Sequence, residues 1–107
     1  MRIKVATLSM VTEFEKPSRV DDNLEYVADF LEEIHSIKPD IVALPEVFPY
    51  VGVPLKLRDI DTSEKTRDFM SQLARKQPTY LAGSIYDKRE GKIYNTCLLF
   101  DRKGELV

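Results

Sequence analysis

Apolar residues fall along this chain in two kinds of pattern, short runs and helical stripes. Ile3-Lys4-Val5-Ala6-Thr7-Leu8 alternates loosely and predicts a first strand. Ser9 to Arg19 is polar, with Pro17 and Ser18, and predicts a connecting loop. Asp21 and Asp22 offer N-caps for a helix. Leu24, Val27, Ala28, Leu31 and Ile34 follow at helical spacing, and Phe30 and Ile37 widen the stripe. Lys38-Pro39-Asp40 ends that helix and launches the run Ile41-Val42-Ala43-Leu44. Four apolar residues in a row, two of them β-branched, predict a strand covered on both faces. Pro45 lacks an amide hydrogen and should end the ladder there.

The stretch from Val47 to Asp61 carries Pro49, Gly52 and Pro54 and has no clean period. Loops this long inside compact domains are often functional. Asp61-Thr62-Ser63-Glu64 offers capping candidates for a second helix, whose apolar face is Thr66, Phe69, Met70, Leu73 and Ala74 and which Pro78 closes. Tyr80 to Tyr86 predicts a third strand, Asp87 to Gly91 a charged turn, Lys92 to Phe100 a fourth strand, and Asp101 to Gly104 another turn. The expected order is β-α-β-α-β-β, an α/β fold with helices packed on a mostly parallel or mixed sheet.

Composition narrows the function classes. The 107 residues are 43% hydrophobic and 32% charged, which suits a soluble globular domain rather than a disordered chain. A net charge of -2 with no basic block gives no footprint for nucleic acid. No apolar run approaches the ~20 residues a bilayer span needs. The opening MRIKVATLSM is too short and polar for a secretory signal. One cysteine excludes an internal disulfide or a cysteine-rich metal site, and one histidine excludes a histidine-pair site. A reducing cytoplasm is the expected setting.

Glu46 is the candidate for chemistry. It lies just past the carboxyl end of the Ile41–Leu44 strand, where open α/β sheets bind ligands. A carboxylate there could be a base, an acid or a metal ligand, or simply a solvated turn residue, and position alone does not decide. Phe48 and Tyr50 follow it in the long loop and are candidates for a pocket wall; ordinary loop packing would explain Tyr50 as well. Cys97 is expected to be a buried structural thiol, because its neighbours in the strand are apolar. His35 suits the C-terminal end of the first helix. Gly83-Ser84 lacks the spacing of a phosphate loop, and Asn95-Thr96 suits a strand-edge hydrogen-bonding pair.

Three stretches resemble the carbon–nitrogen hydrolase (nitrilase/amidase) superfamily. They are KVATLSM with Asn23 in the following helix, KPDIVALPEVF, and LAGSIYDKREGKIYNTCLLFDRKGELV. The Pro-Glu and Tyr-Asn-Thr elements together are fairly specific. The chain departs from the family at Ser9, where a glutamine or similar residue is usual, and in the loop PYVGVP. The resemblance implies the N-terminal part of an α-β-β-α sandwich, one partial domain over residues 1–107. It also implies a Glu-Lys-Cys triad in which Glu46 is the general base, with no cofactor and no metal. The substrate would be a nitrile, an aliphatic amide, an N-carbamoyl compound or an ω-amide of a dicarboxylic acid.

By the same resemblance the lysine and the cysteine lie beyond Val107. Lys92, Lys103 and Cys97 occupy the hairpin, a turn and the "YNT" strand and are not substitutes. The chain alone is therefore expected to be inactive. Its exposed sheet is expected to recruit a second copy or a complementing chain. Two rivals stand beside this reading. One is the metal-dependent endonuclease/exonuclease/phosphatase family, which also places a glutamate after an apolar strand, there as a Mg²⁺ ligand. The other is a non-catalytic binding or scaffold module.

Overall fold

The computed structural model describes residues 1–11, 17–58 and 63–107. Its elements run β1 (Val5–Thr7), α1 (Val20–Ile34), β2 (Ile41–Ala43), α2 (Ser63–Lys76), β3 (Tyr80–Arg89) and β4 (Lys92–Phe100), in the expected order. The strands lie side by side in sequence order, the first three parallel and β4 antiparallel to β3. Short 3-10 turns cover His35–Ile37, Phe48–Tyr50 and Leu55–Leu57, the last two inside the stretch expected to be an irregular loop. The capping candidates Asp61 and Thr62 lie outside the described residues.

Helix α1 starts one residue before its expected caps. Arg19, in an extended conformation, is the N-cap and makes no side-chain capping bond. Asp21 and Asp22 sit in the first turn instead. There their charges face the positive end of the helix dipole, a favourable place that needs no capping bond. Leu24, Val27 and Leu31 carry the buried stripe, and Ala28, Phe30 and Ile34 flank it half-buried. The helix tightens into the turn His35–Ile37, and Lys38 reverses the chain in the left-handed region at φ 52°.

One face of the sheet holds the core. Val42, Leu81, Ile85, Leu98 and Phe100 point under the helices and meet Leu31, Met70, Leu73 and Ala74. At the centre Phe48 is fully buried. A β-carbon at Gly83 would lie 3.1 Å from its ring and 3.2 Å from the Met70 methyl. Glycine there lets the strand backbone come close to the aromatic ring.

The alternate residues point the other way. Because Ser84 pairs with Cys97 and Tyr86 with Asn95, these side chains share the second face with Ala43 and Ala82. Among the described residues no α-helix or strand covers that face; the turn at Val47–Tyr50 reaches only its Ser84 and Tyr86 positions. The expectation that β2 would be covered on both faces therefore fails within this chain: Val42 is fully buried, whereas Ile41 and Ala43 are only half-buried. Val5, on the edge strand β1, is 61% exposed. The chain thus provides one helix layer and one sheet layer, half the layers of an α-β-β-α sandwich.

The charged turn expected at Asp87–Gly91 shrinks to two residues. Arg89 pairs with Lys92, and Glu90 and Gly91 both take positive φ, 49° and 76°, as a tight primed turn requires. Asp87 belongs to β3 and is buried. It accepts from Arg89 Nε at 2.5 Å and pairs with Arg67 of α2 at 3.2 Å. The Arg89 hydrogen bond, helped by the charges of Arg89 and Arg67, outweighs burial and holds the Asp87 carboxyl below its ordinary value. A folded-state value below the unfolded one stabilises the fold above the unfolded value. That stability is lost as pH falls through the folded value. Urea midpoints should therefore drop more steeply for the wild type than for Asp87→Asn between about pH 6 and about pH 3. Parallel curves would show that the Arg67–Asp87–Arg89 cluster contributes nothing.

Candidate active site

The last ladder donor at the end of β2 is Leu44, whose amide gives to the Ala82 carbonyl at 2.8 Å. Pro45 then has no hydrogen to give, and the strand ends where its sequence says it should. The next turn is held differently. The Val47 amide donates to the side-chain oxygen of Ser84 at 2.7 Å, across to β3. Val47 takes φ 47°, ψ 47°, a left-handed conformation that a β-branched residue enters only under constraint. This sharp reversal sends Phe48 into the core and leaves Glu46 on the open face.

Glu46 is exposed, and Asn95 Nδ2 donates to its Oε1 at 2.7 Å. Asn95 stands on β4 opposite Tyr86, next to the edge of the uncovered face. Thus the Pro-Glu and Tyr-Asn-Thr segments, far apart in sequence, meet through one hydrogen bond. Two shallow hollows share Glu46. One, of about 440 Å³, is lined by Glu46, Ala82, Ser84, Asn95 and Cys97 among others. The other, of about 300 Å³, is more polar and is lined by Glu46, Tyr50, Arg58, Tyr86 and Asn95 among others. A third hollow, of about 290 Å³, lies at the far end of β2 and contains neither Glu46 nor Asn95.

The loop after Glu46 is anchored from α1. Buried Asn23 donates from its amide nitrogen to the carbonyls of Pro49 and Val51, both at 2.9 Å. These bonds satisfy two carbonyls that a proline-rich turn cannot pair internally. Arg58 closes the loop from the other side. Its Nε donates to the Val53 carbonyl at 3.0 Å and one Nη to the Tyr86 hydroxyl at 2.7 Å. The guanidinium carbon lies 6.0 Å from the centre of the Tyr50 ring and 5.8 Å from that of Tyr86, and the two rings are 5.1 Å apart.

The expected wall residues part company. Tyr50 lines the polar hollow although most of its surface is buried. Phe48 lines neither hollow at Glu46; it is a core residue, because the reversal at Val47 turns it towards Gly83. Cys97 is exposed rather than buried. Strand alternation explains the difference: Leu98 and Phe100 take the helix-covered face, and position 97 takes the open one. His35 is exposed at the end of α1, as expected. Among the described residues, no three His, Cys, Asp or Glu side chains come together to hold a metal, and no helix is long and apolar enough to cross a membrane.

Sequence reasoning missed the roles of Asn95, Ser84 and Arg58. Asn95 had a signal in its motif, but only strand pairing shows what it faces. Ser84 was visible only as a small residue after a glycine. Arg58 carried no pattern at all.

Comparison with known proteins shows the family of the chain and its fold. The family model for carbon-nitrogen hydrolase matches residues 4–107, and the chain belongs to that family. It is 33% identical over 103 residues to an omega-amidase of Xenopus laevis, a match covering 94% of this chain and 37% of that protein. Nitrilase homolog 2 of Dictyostelium discoideum is 32% identical over 92 residues, covering 81% of this chain and 28% of that protein. Among solved structures, a carbon-nitrogen hydrolase from Helicobacter pylori G27 superposes with a TM-score of 0.82 at 25% identity, over 97% of this chain and 37% of that one. An amidase from Nesterenkonia sp. gives the same TM-score at 18% identity and shares the fold. The chain therefore spans well under half the length of these relatives.

The Val47–Ser84 bond yields a test. Ser84→Ala leaves a part-buried amide without its acceptor, which costs about 1–3 kcal/mol. Urea denaturation should show that loss, and Ser84→Thr, which keeps the hydroxyl, should recover part of it. Equal midpoints for wild type and Ser84→Ala would show that the hydroxyl does not hold the reversal.

Proposed function

We propose that this member of the carbon–nitrogen hydrolase family supplies the general-base half of a hydrolase acting on non-peptide C–N bonds. The observation that carries the proposal is the meeting of Glu46 and Asn95 at 2.7 Å on the uncovered sheet face. Asn95 fixes one oxygen of the carboxylate and leaves the other for proton transfer. Geometry of this kind suits a base that must be held rather than merely present.

In this mechanism Glu46 takes the proton of a cysteine thiol, and the thiolate adds to the carbon of an amide. A lysine ammonium stabilises the resulting oxyanion. The amine leaves as the C–N bond breaks, accepting the proton from Glu46. Water, deprotonated by Glu46, then attacks the acyl thioester and frees the acid and the thiol. Lysine and cysteine come from outside residues 1–107, in the same polypeptide or in a companion chain. The open sheet face, with its half-buried Ile41, Ala43 and Ala82, is where the rest of the sandwich would pack. An exposed free thiol at Cys97 suits a reducing compartment such as the cytoplasm.

The substrate class proposed is a small amide, in line with the omega-amidase and amidase names of the relatives. Neither rival is favoured: the matching family model is that of carbon-nitrogen hydrolases, not of metal-dependent phosphodiesterases.

Ammonia release from small aliphatic amides by the full natural polypeptide tests the reading. Glu46→Gln should reduce kcat by roughly 10²- to 10⁴-fold without moving the urea midpoint. Hydrolysis unaffected by Glu46→Gln would remove Glu46 from the chemistry.

A further inference from the structure

We infer that the hollow at the amino end of β2 is a second binding site, that it takes a small amphipathic carboxylate, and that Lys38 is its anion receptor. The hollow lies apart from Glu46. Asp40 and Val42, which line it, stand at the start of β2, and Glu46 follows the strand's other end. At a rise of about 3.3 Å per residue, β2 alone puts roughly 10 Å between them. Val42 points under the helices, so the hollow is on the helix-covered side of the sheet, at the C-terminal ends of α1 and α2. The open face, where the rest of a sandwich would pack, is on the other side.

Apolar groups dominate the lining. Leu31 and Val42 are core residues with almost no exposed surface, and Ile34 and Pro78 add to them. Because this lining is part of a close-packed core, the hollow exists before a ligand arrives. Its volume of about 290 Å³ suits a short apolar tail. The charged groups around it are Lys38, Asp40 and Arg102. Asp40 is already engaged: one oxygen accepts from Arg102 at 3.0 Å and the other from the Lys4 amide at 2.9 Å. Among the described residues no carboxylate pairs with Lys38. The charge balance at the mouth is therefore positive. Helix C-termini ordinarily favour a cation, but here end carbonyls are taken. That of His35 accepts from the Lys38 amide, that of Ile37 from Lys4 Nζ, and that of Ala74 from the Thr79 amide.

Lys38 itself is strained. It takes φ 52°, ψ 61°, the left-handed cap conformation in which glycine is usual. A side chain in that region has a conformational cost, and such strain collects at functional sites. The strained residue sets an exposed ammonium where the apolar lining meets water. A carboxylate there gains a charge-assisted hydrogen bond while its tail leaves water for the hollow.

Saturation-transfer NMR titrations of the full natural polypeptide test this, with sodium hexanoate as the probe and 1-hexanol as its uncharged counterpart. Hexanoate should bind with a Kd of roughly 1 mM, and 1-hexanol about 10-fold more weakly. Glycine enters the left-handed region without strain. Lys38→Gly should therefore keep or raise the urea midpoint while weakening hexanoate binding by roughly 10-fold. Glu46→Gln should leave hexanoate binding unchanged, because the two sites are separate. An absence of binding up to about 20 mM hexanoate overturns the inference. So do equal affinities for hexanoate and 1-hexanol, a Lys38→Gly variant that binds like the wild type, or binding that disappears in Glu46→Gln. The hydrolase reading stands or falls separately, on ammonia release.

Discussion

The hydrogen bond from the Val47 amide to Ser84 is the constraint around which the site is arranged. It joins the exit of β2 to the middle of β3 at the residue where the chain is bent into a left-handed conformation. A valine with positive φ is costly, and such a conformation persists only where neighbours over-determine it. Here the neighbours are identifiable. Pro45 cannot continue the ladder, Ser84 captures the Val47 amide, and Phe48 fills the space that Gly83 leaves open. Move any of these and Glu46 loses its direction.

The same reversal sorts side chains between the two sides of the sheet. Phe48 goes inward and completes the core beneath α1 and α2, while Glu46 goes outward to Asn95. Packing and chemistry are thus coupled across two residues. The core holds the loop by burial and Asn23 holds it by hydrogen bonds to Pro49 and Val51. The catalytic candidate itself is exposed and makes no contribution to the core. Its environment is left open on the side where a second layer would lie.

Much of this was legible in the residues. The 3.6-residue stripes of α1 and α2, the proline at the end of β2 and the hairpin around Gly91 translate directly into local structure. Local signals also set Glu46 at a strand exit. What could not be seen was which residues face each other, because that depends on register between strands distant in sequence. Asn95 meets Glu46 only because β3 pairs antiparallel with β4 and parallel with β2. Cys97 departs from its expected burial for the same reason: its apolar neighbours suggest burial, but alternation assigns it to the face without helices. Phe48 and Tyr50, two residues apart, part company because a left-handed turn precedes them, and nothing in the composition announces a valine in that conformation.

The central claim is that the carboxylate of Glu46 works by where it is held. Shortening it while keeping its charge is the most direct examination. In Glu46→Asp the carboxylate retracts by one methylene from Asn95 and from the reacting atoms. A displacement of about 1 Å can cost 10²-fold in rate. The full natural polypeptide carrying Glu46→Asp should therefore release ammonia from a small amide about 10²-fold more slowly than wild type, with an unchanged urea midpoint. A variant as active as the wild type would contradict the account, because any carboxylate near the strand exit would then suffice.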